Sequence, residues 1–314
     1  MLPRSLPLPC RVKSERAPPV KRLWYIFLPV LAVQTYLFYF NQDDRPEFRR
    51  PAPELIAPAP ILRGGEEGAI LRSRSRLDPA FTVDVGDKGN STGTAFSIRD
   101  DGAWLTARHV VDGCDQVGLR VGPRKAVKVQ RVQSHPSADI AVIWTRGGKP
   151  AISIAREELR LNQPGYHVGY PEGKPGQVVS SLIGRRNMRT VGRYRQTEPV
   201  VAWVERARHP RTKSLGGISG GPALNAAGEI IGVTVAASKR RGRVFTTAPV
   251  TMDAMLSMAK VRPDGQPSGG LTAVGPNDKD YVRYGETLRA KLTVAKVLCL
   301  VDGASRRRPA RRGF

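Results

Sequence analysis

The chain has 314 residues, room for one large or two small domains. Hydrophobic residues make up 40%, enough for a sizeable core, and 32 glycines with 26 prolines favour turn-rich β structure. Lys and Arg outnumber Asp and Glu by 51 to 27, a formal charge of +24, but no nucleic-acid-binding motif gathers that charge and aromatics for base stacking are only 6%. A nucleic-acid partner is therefore not expected, and an anionic membrane surface is the better match.

Residues 23–40 (LWYIFLPVLAVQTYLFYF) carry no charge and are long enough, at the short limit, to span a bilayer core. Arg4, Arg11, Lys13, Arg16, Lys21 and Arg22 precede the run; Asp43 and Asp44 follow it. The positive-inside rule then places residues 1–22 in the cytoplasm and everything after residue 40 outside it. No small-residue cleavage site follows the run, so it is expected to be an uncleaved transmembrane helix, anchored in inner-membrane lipid. Residues 41–79 hold Pro46, Pro51, Pro53, Pro58 and Pro60 and read as a semi-rigid tether.

Folded patterning starts near Phe81. Residues 81–85 alternate as a strand, 94–98 as another, and Arg99-Asp100-Asp101-Gly102 is a hairpin turn signal. A third short strand, 104–107, delivers His109. An imidazole can accept and return a proton near neutral pH, which suits a general base, although a lone histidine is more often structural. Asp139 then leads into the continuous apolar run Ile140-Ala141-Val142-Ile143, where a poorly solvated carboxylate needs a partner such as an imidazole N–H. Further on, Gly216-Gly217-Ile218-Ser219-Gly220-Gly221 sets a serine between glycines, small enough for backbone N–H groups to approach a reacting carbonyl. That loop also fits the nucleophile elbow of α/β-hydrolases, but those enzymes run Ser, acid, His, and no histidine follows Ser219 here.

The order His109, Asp139, Ser219 resembles the triad of the trypsin-like, chymotrypsin-fold serine peptidases, and the blocks around it are similar to the bacterial HtrA (Deg) type. Those blocks are Thr92-Gly93-Thr94-Ala95-Phe96, Leu105-Thr106-Ala107-Arg108-His109-Val110-Val111, Asp139-Ile140-Ala141-Val142, Val168-Gly169-Tyr170-Pro171 and Gly217-Ile218-Ser219-Gly220-Gly221-Pro222. The resemblance implies a mainly β fold of two six-stranded barrels, with a peptidase domain over residues 80–261. It also implies peptide-bond hydrolysis through an acyl-enzyme, with Ser219 as nucleophile, His109 as base and Asp139 orienting the imidazole. The oxyanion hole would be the N–H groups of Gly217 and Ser219, with no metal or cofactor. Thr234, Val235 and Ala236 would form the strand beside the substrate, and Lys213 lies where trypsin-like enzymes line the primary pocket, with a solvated loop lysine as the plainer reading. Ile218 departs from the family's usual Asn or Asp. A catalytically silent binding module on the same fold is the alternative.

His135, His167 and His209 lack metal-ligand spacing and read as structural. Residues 250–261 have helical spacing. Residues 262–314 read as a linker, a short segment and a basic tail, too little for the PDZ domain that usually follows an HtrA-type peptidase. Leu288, Leu292 and Ala295 suit a helix face, while 297–301 fit a short buried strand equally well. Cys114 and Cys299 both fall outside the cytoplasm, on the periplasmic side, where they can bridge or remain free thiols; Cys10 stays inside.

Overall fold

Short apolar runs broken by glycine and aspartate turns give an almost wholly β structure, seen in a computed structural model that describes residues 68–238, 241–264 and 275–302. The run 23–40, the basic segment before it, most of the tether and the C-terminal tail lie outside the described residues. Among the described residues no helix is long and apolar enough to cross a membrane.

The first barrel uses β2 (Ser91–Ser97), β3 (Ala103–Thr106), β4 (Gln116–Arg120), β5 (Ala126–Ser134), β6 (Ala141–Thr145) and β13 (Val294–Leu300). It closes in the order β13-β2-β3-β6-β5-β4. The second contains β7 (Pro164–Gly169), β8 (Gly176–Gly192), β9 (Gln196–His209), β10 (Pro222–Leu224), β11 (Ile230–Ser238) and β12 (Arg243–Thr247). Its pairings run β8-β7-β10-β11-β12-β9 and return through β8–β9. β8 is long enough to change partners. Its first half pairs with β7, and its last residues take β1 (Ala80–Val85) as a parallel strand on the side that β7 has left.

Both faces of β3, β6, β7 and β10 are almost wholly buried, whereas β1, β4 and β5 keep an exposed or half-exposed face. On β6 and the residues leading into it, Ile140 and Val142 face the seam between the barrels, and Ala141 and Ile143 face the first barrel's interior. Helix α2 (Pro249–Ala259) starts with proline at its first turn, where the missing N–H costs nothing, and lays Met252, Met255 and Leu256 into the seam. Val178, Leu182, Val201, Trp203 and Ile231 fill the second barrel.

The C-terminal segment corrects two expectations. Helix α3 (Tyr281–Ala290) holds Leu288, but Leu292 adopts a left-handed φ of 59° that ends the helical path, and Ala295 is on β13. The expected domain boundary at residue 261 also cuts through a folded unit. β13 pairs with β2 on one side and β4 on the other, so the first barrel is closed by residues beyond that boundary. A disulfide joins Cys299 of β13 to Cys114, with Cα atoms 5.4 Å apart. It fastens this last strand beside the turn that carries His109.

Candidate active site

β3 ends at Thr106 and runs into the short helical turn α1 (Arg108–Val111), whose Val110 and Val111 are buried and leave His109 at the rim. His109 meets Asp139 twice. Its backbone N–H donates to Asp139 Oδ1 at 2.8 Å, and its Nδ1–H donates to Oδ2 at 2.6 Å. A carboxylate only accepts, so Nδ1 carries a proton, and in the neutral ring the lone pair is the one on Nε2. Lys88, from the loop after β1, donates to the carbonyls of His109 and Val110 at 2.7 and 3.0 Å and holds the turn from the other side. Burial, then the charge of Arg193, lowers its ammonium to about 8.

Behind Asp139 sits a residue that the sequence did not mark. The backbone N–H of Asp139 donates to both carboxyl oxygens of Glu198, at 3.0 and 3.1 Å. Glu198 is 1% exposed; burial first, and then the neighbouring Asp139 charge, push its carboxyl up to about 8. It is therefore largely neutral at pH 7 and adds little negative charge beside Asp139. Glu198 lies on β9 in a run of mixed polar residues, where nothing in the sequence distinguishes it from a surface glutamate.

The serine loop is shaped by its neighbours. Gly217 has φ +98°, and a Cβ there would lie 2.5 Å from the carbonyl oxygen of Tyr170. Gly220 has φ +85°, with Thr94 O only 2.1 Å from a Cβ. Only glycine fits either place. Between them Ile218 is 1% exposed and packs into the second barrel's core, which accounts for an apolar residue before the serine. The N–H groups of Ile218 and Gly220 are used internally, on Leu215 O and Thr234 O. Among the described residues, the N–H groups of Gly217 and Ser219 have no acceptor. The carbonyl of Gly216 accepts from Glu172 N–H at 2.6 Å, which turns the Gly217 end of that trans peptide the opposite way.

Thr94 was also not singled out, and it ties this loop to the first barrel. Its hydroxyl donates to Gly217 O at 2.8 Å and accepts from Tyr170 N–H at 3.1 Å; its own N–H donates to Ser219 O at 2.9 Å. The threonine was visible only as part of a strand block.

His109, Asp139 and Ser219 line one cleft of about 1120 Å³. Among the described residues no hydrogen bond joins the Ser219 hydroxyl to His109. Val235 and Ala236 line the same cleft. Thr234 does not: it is fully buried, contacts His167 through its hydroxyl at 3.2 Å, and holds Gly220 and Gly221 through its backbone. Lys213 is exposed and lines neither this cleft nor the smaller cavity beside it, about 180 Å³, formed by Arg208, Ser214, Leu215, Gly216, Ser219, Ala237 and Ser238. The cation there is Arg208, held by both oxygens of Glu205. His167 is lowered to about 3 by complete burial and bonds Ser180, a structural role. Among the described residues no group of His, Cys, Asp and Glu could hold a metal.

Strand β11 adds an open edge. Residues 230–233 pair with β10 on one side, whereas 234–238 pair with β12 alone, and Val235 to Ser238 line the cleft beside Ser219. An extended peptide can pair with such an edge through its main chain.

The two barrels with a site at their junction define the trypsin-like peptidase fold, and residues 93–233 match the model of the trypsin-like peptidase domain family. Among curated proteins, the chain is 26% identical over 237 residues to a probable periplasmic serine endoprotease, DegP-like, of Pseudomonas savastanoi pv. phaseolicola, covering 74% of this chain and 47% of the relative. It is 28% identical over 194 residues to a protein of the same name from Halomonas elongata, covering 60% and 39%. The chain thus spans about half the length, or less, of these relatives. Solved structures that resemble it include the Rv3671c protease from M. tuberculosis in its active form, with 21% identity, 66% of this chain and 100% of that chain covered, and a TM-score of 0.46. The HtrA-type protease AlgW with a decapeptide shares 22% identity over 55% and 52% of the two chains, with a TM-score of 0.44.

Proposed function

We propose that the protein is a serine endopeptidase whose catalytic residues are Ser219, His109 and Asp139. One observation carries this reading. The His109–Asp139 pair, its lone pair on Nε2, shares a cleft with a glycine-flanked serine whose loop has two N–H groups free of internal acceptors. His109 Nε2 takes the Ser219 proton as Oγ attacks the scissile carbonyl. The carbonyl electrons move to oxygen, and that oxyanion is received by the N–H groups of Gly217 and Ser219. His109 then gives its proton to the leaving amine; water, deprotonated by the same nitrogen, releases the acid product from Ser219. Asp139 stabilises the imidazolium at each stage. Substrate lies extended along the open edge of β11, with Val235 and Ala236 against it. The reaction needs no cofactor or metal.

The peptidase acts outside the cytoplasm, in the periplasm. The Cys114–Cys299 disulfide fits an oxidising compartment, and the curated relatives carry periplasmic names. Residues 23–40 supply a single-pass anchor in inner-membrane lipid, with the N-terminus cytoplasmic.

A silent binding module is the second reading, favoured by the missing hydrogen bond between Ser219 and His109; such bonds often tighten only with substrate. Labelling with a fluorophosphonate, wild type against Ser219→Ala, separates the two. Ser219-dependent labelling and hydrolysis of an unfolded protein substrate are expected. Labelling that persists in Ser219→Ala, or none in either protein while both remain folded, overturns the peptidase reading.

A further inference from the structure

Three arginines that line the cleft containing Ser219 have no acidic partner among the described residues. Arg186 comes from β8, Arg243 from β12, and Arg241 from the hairpin between β11 and β12. Arg193, which lines the same cleft, is paired with Asp112, as Arg72 is with Asp78, Arg99 with Asp101 and Arg208 with Glu205. Among the described residues Arg186, Arg241 and Arg243 have no such pair; Arg186 donates to the carbonyl of Arg185. They feel one another. Arg243, half-buried, is lowered by burial first and then by the charges of Arg186 and Arg241. Such an uncompensated cluster works against folding, and it creates a positive potential focused within a cleft.

The acidic residues of the same cleft are placed elsewhere. Asp139 is held by His109, and Asp84 is opposite Val191 on β8, five residues from Arg186 and so ~16 Å along the strand. Asp87 is in the loop after β1, next to Lys88. The arginine end of the cleft therefore keeps its charge.

Its position follows from the chemistry. His109, on the first barrel, protonates the leaving amine, so the C-terminal half of the substrate departs on that side. The N-terminal half lies along β11, whose edge runs from Val235 to Ser238 beside Arg243, its partner on β12, and on to Arg241. At ~3.3 Å per residue, the arginines meet side chains about three to six residues before the scissile bond.

We propose that Arg186, Arg241 and Arg243 form a subsite for acidic side chains in the substrate segment N-terminal to the cleaved bond, so that this peptidase selects polypeptides with an acidic stretch there. Guanidinium forks pair carboxylates in two-point hydrogen bonds, and three of them favour a cluster of Asp and Glu over a single residue. The proposal rests on the peptidase reading for its orientation, but the binding it describes does not need turnover.

The test uses full-length Ser219→Ala protein and two fluorescent peptides that differ only in Asp/Glu against Asn/Gln at those positions. Fluorescence anisotropy is expected to show the acidic peptide binding at least about tenfold more tightly at low salt, where two such pairs contribute on that order. The preference should vanish in Arg186→Gln/Arg241→Gln/Arg243→Gln and shrink at high salt. In the active enzyme, the acidic-to-neutral ratio of kcat/KM should exceed tenfold, mostly through KM, and fall toward one in the triple variant. Equal binding of the two peptides, or a preference kept by the folded triple variant, overturns the subsite. Equal displacement of the acidic peptide by an unrelated polyanion such as oligo(dT) also overturns it, in favour of general anion binding. If the anisotropy difference holds but neither peptide is hydrolysed by the wild type, the peptidase reading fails and the acidic site stands.

Discussion

Glu198 offers the sharpest check on the physical account of the site. Replacing it with Gln keeps an oxygen to accept the Asp139 N–H and removes the ionisation. Burial and the Asp139 charge raise the carboxyl to about 8 in the folded protein, against an ordinary 4.5. The folded state thus binds more protons than the unfolded chain between those values, so stability must fall as pH rises through the window. The contribution is complete below pH 4.5 and gone above about 8. Integrated from pH 5 to 7.5, it amounts to ~3 kcal/mol. Urea denaturation of wild type and Glu198→Gln, run in parallel at several pH values, cancels the titration of groups that do not interact with Glu198. The stability difference between the two proteins should move by about that amount across the range, with the wild type losing ground as pH rises. A difference that stays constant with pH would mean that Glu198 is already ionised when folded. Its neutrality behind Asp139 would then be wrong.

Other outcomes follow from the same geometry. Gly217→Ala places a Cβ 2.5 Å from Tyr170 O in a left-handed backbone. The 216–217 peptide must rotate, and with one oxyanion donor displaced kcat should drop by ~10²–10³ while KM changes little; near-wild-type turnover of a chromogenic peptide would sink the assignment. Thr94→Val removes the hydroxyl between Gly217 O and Tyr170 N–H. Fluorophosphonate labelling should slow at least about tenfold while circular dichroism is unchanged, since the loss is about one or two hydrogen bonds at the loop. Cys114→Ser opens a cross-link between residues 185 apart, for which chain entropy gives about 5 kcal/mol. A clear fall in Tm is expected, matched by adding reductant to the wild type; an unchanged Tm contradicts the bridge.

The elements legible in the sequence were those whose chemistry is local. The serine loop, the histidine at the end of a hairpin strand and the aspartate before an apolar run each declare themselves through neighbours within a few residues. The supporting groups do not. Glu198 reaches Asp139 across 59 positions, and Thr94 reaches Gly217 across 123, so their side chains acquire meaning only when the barrels are closed. Thr234 shows the converse case. It sits in the strand beside the cleft, yet its hydroxyl turns to His167, and the register shift between Thr234 and Ala236 breaks the alternation so that Val235 and Ala236 both line the cleft. Lys213 is exposed, in keeping with the plainer reading of a solvated loop lysine, and the cation that lines the small cavity is Arg208 from the end of β9.

The least legible feature was the closing of the first barrel. A boundary drawn where the helical pattern of α2 ends looks natural, because a proline- and glycine-rich stretch follows it. The strand after that stretch is nevertheless the partner of both β2 and β4. β2 carries Thr94, and the disulfide on β13 reaches the turn after α1, so the last strand supports both halves of the site: the serine loop through Thr94 and the His109 turn through Cys114. A chain ending at residue 261 would leave both β2 and β4 with an unpaired edge beside His109, and such edges invite mispairing. Assembly of the His109–Asp139 pair with the serine loop thus depends on sequence that lies outside the motif-bearing region.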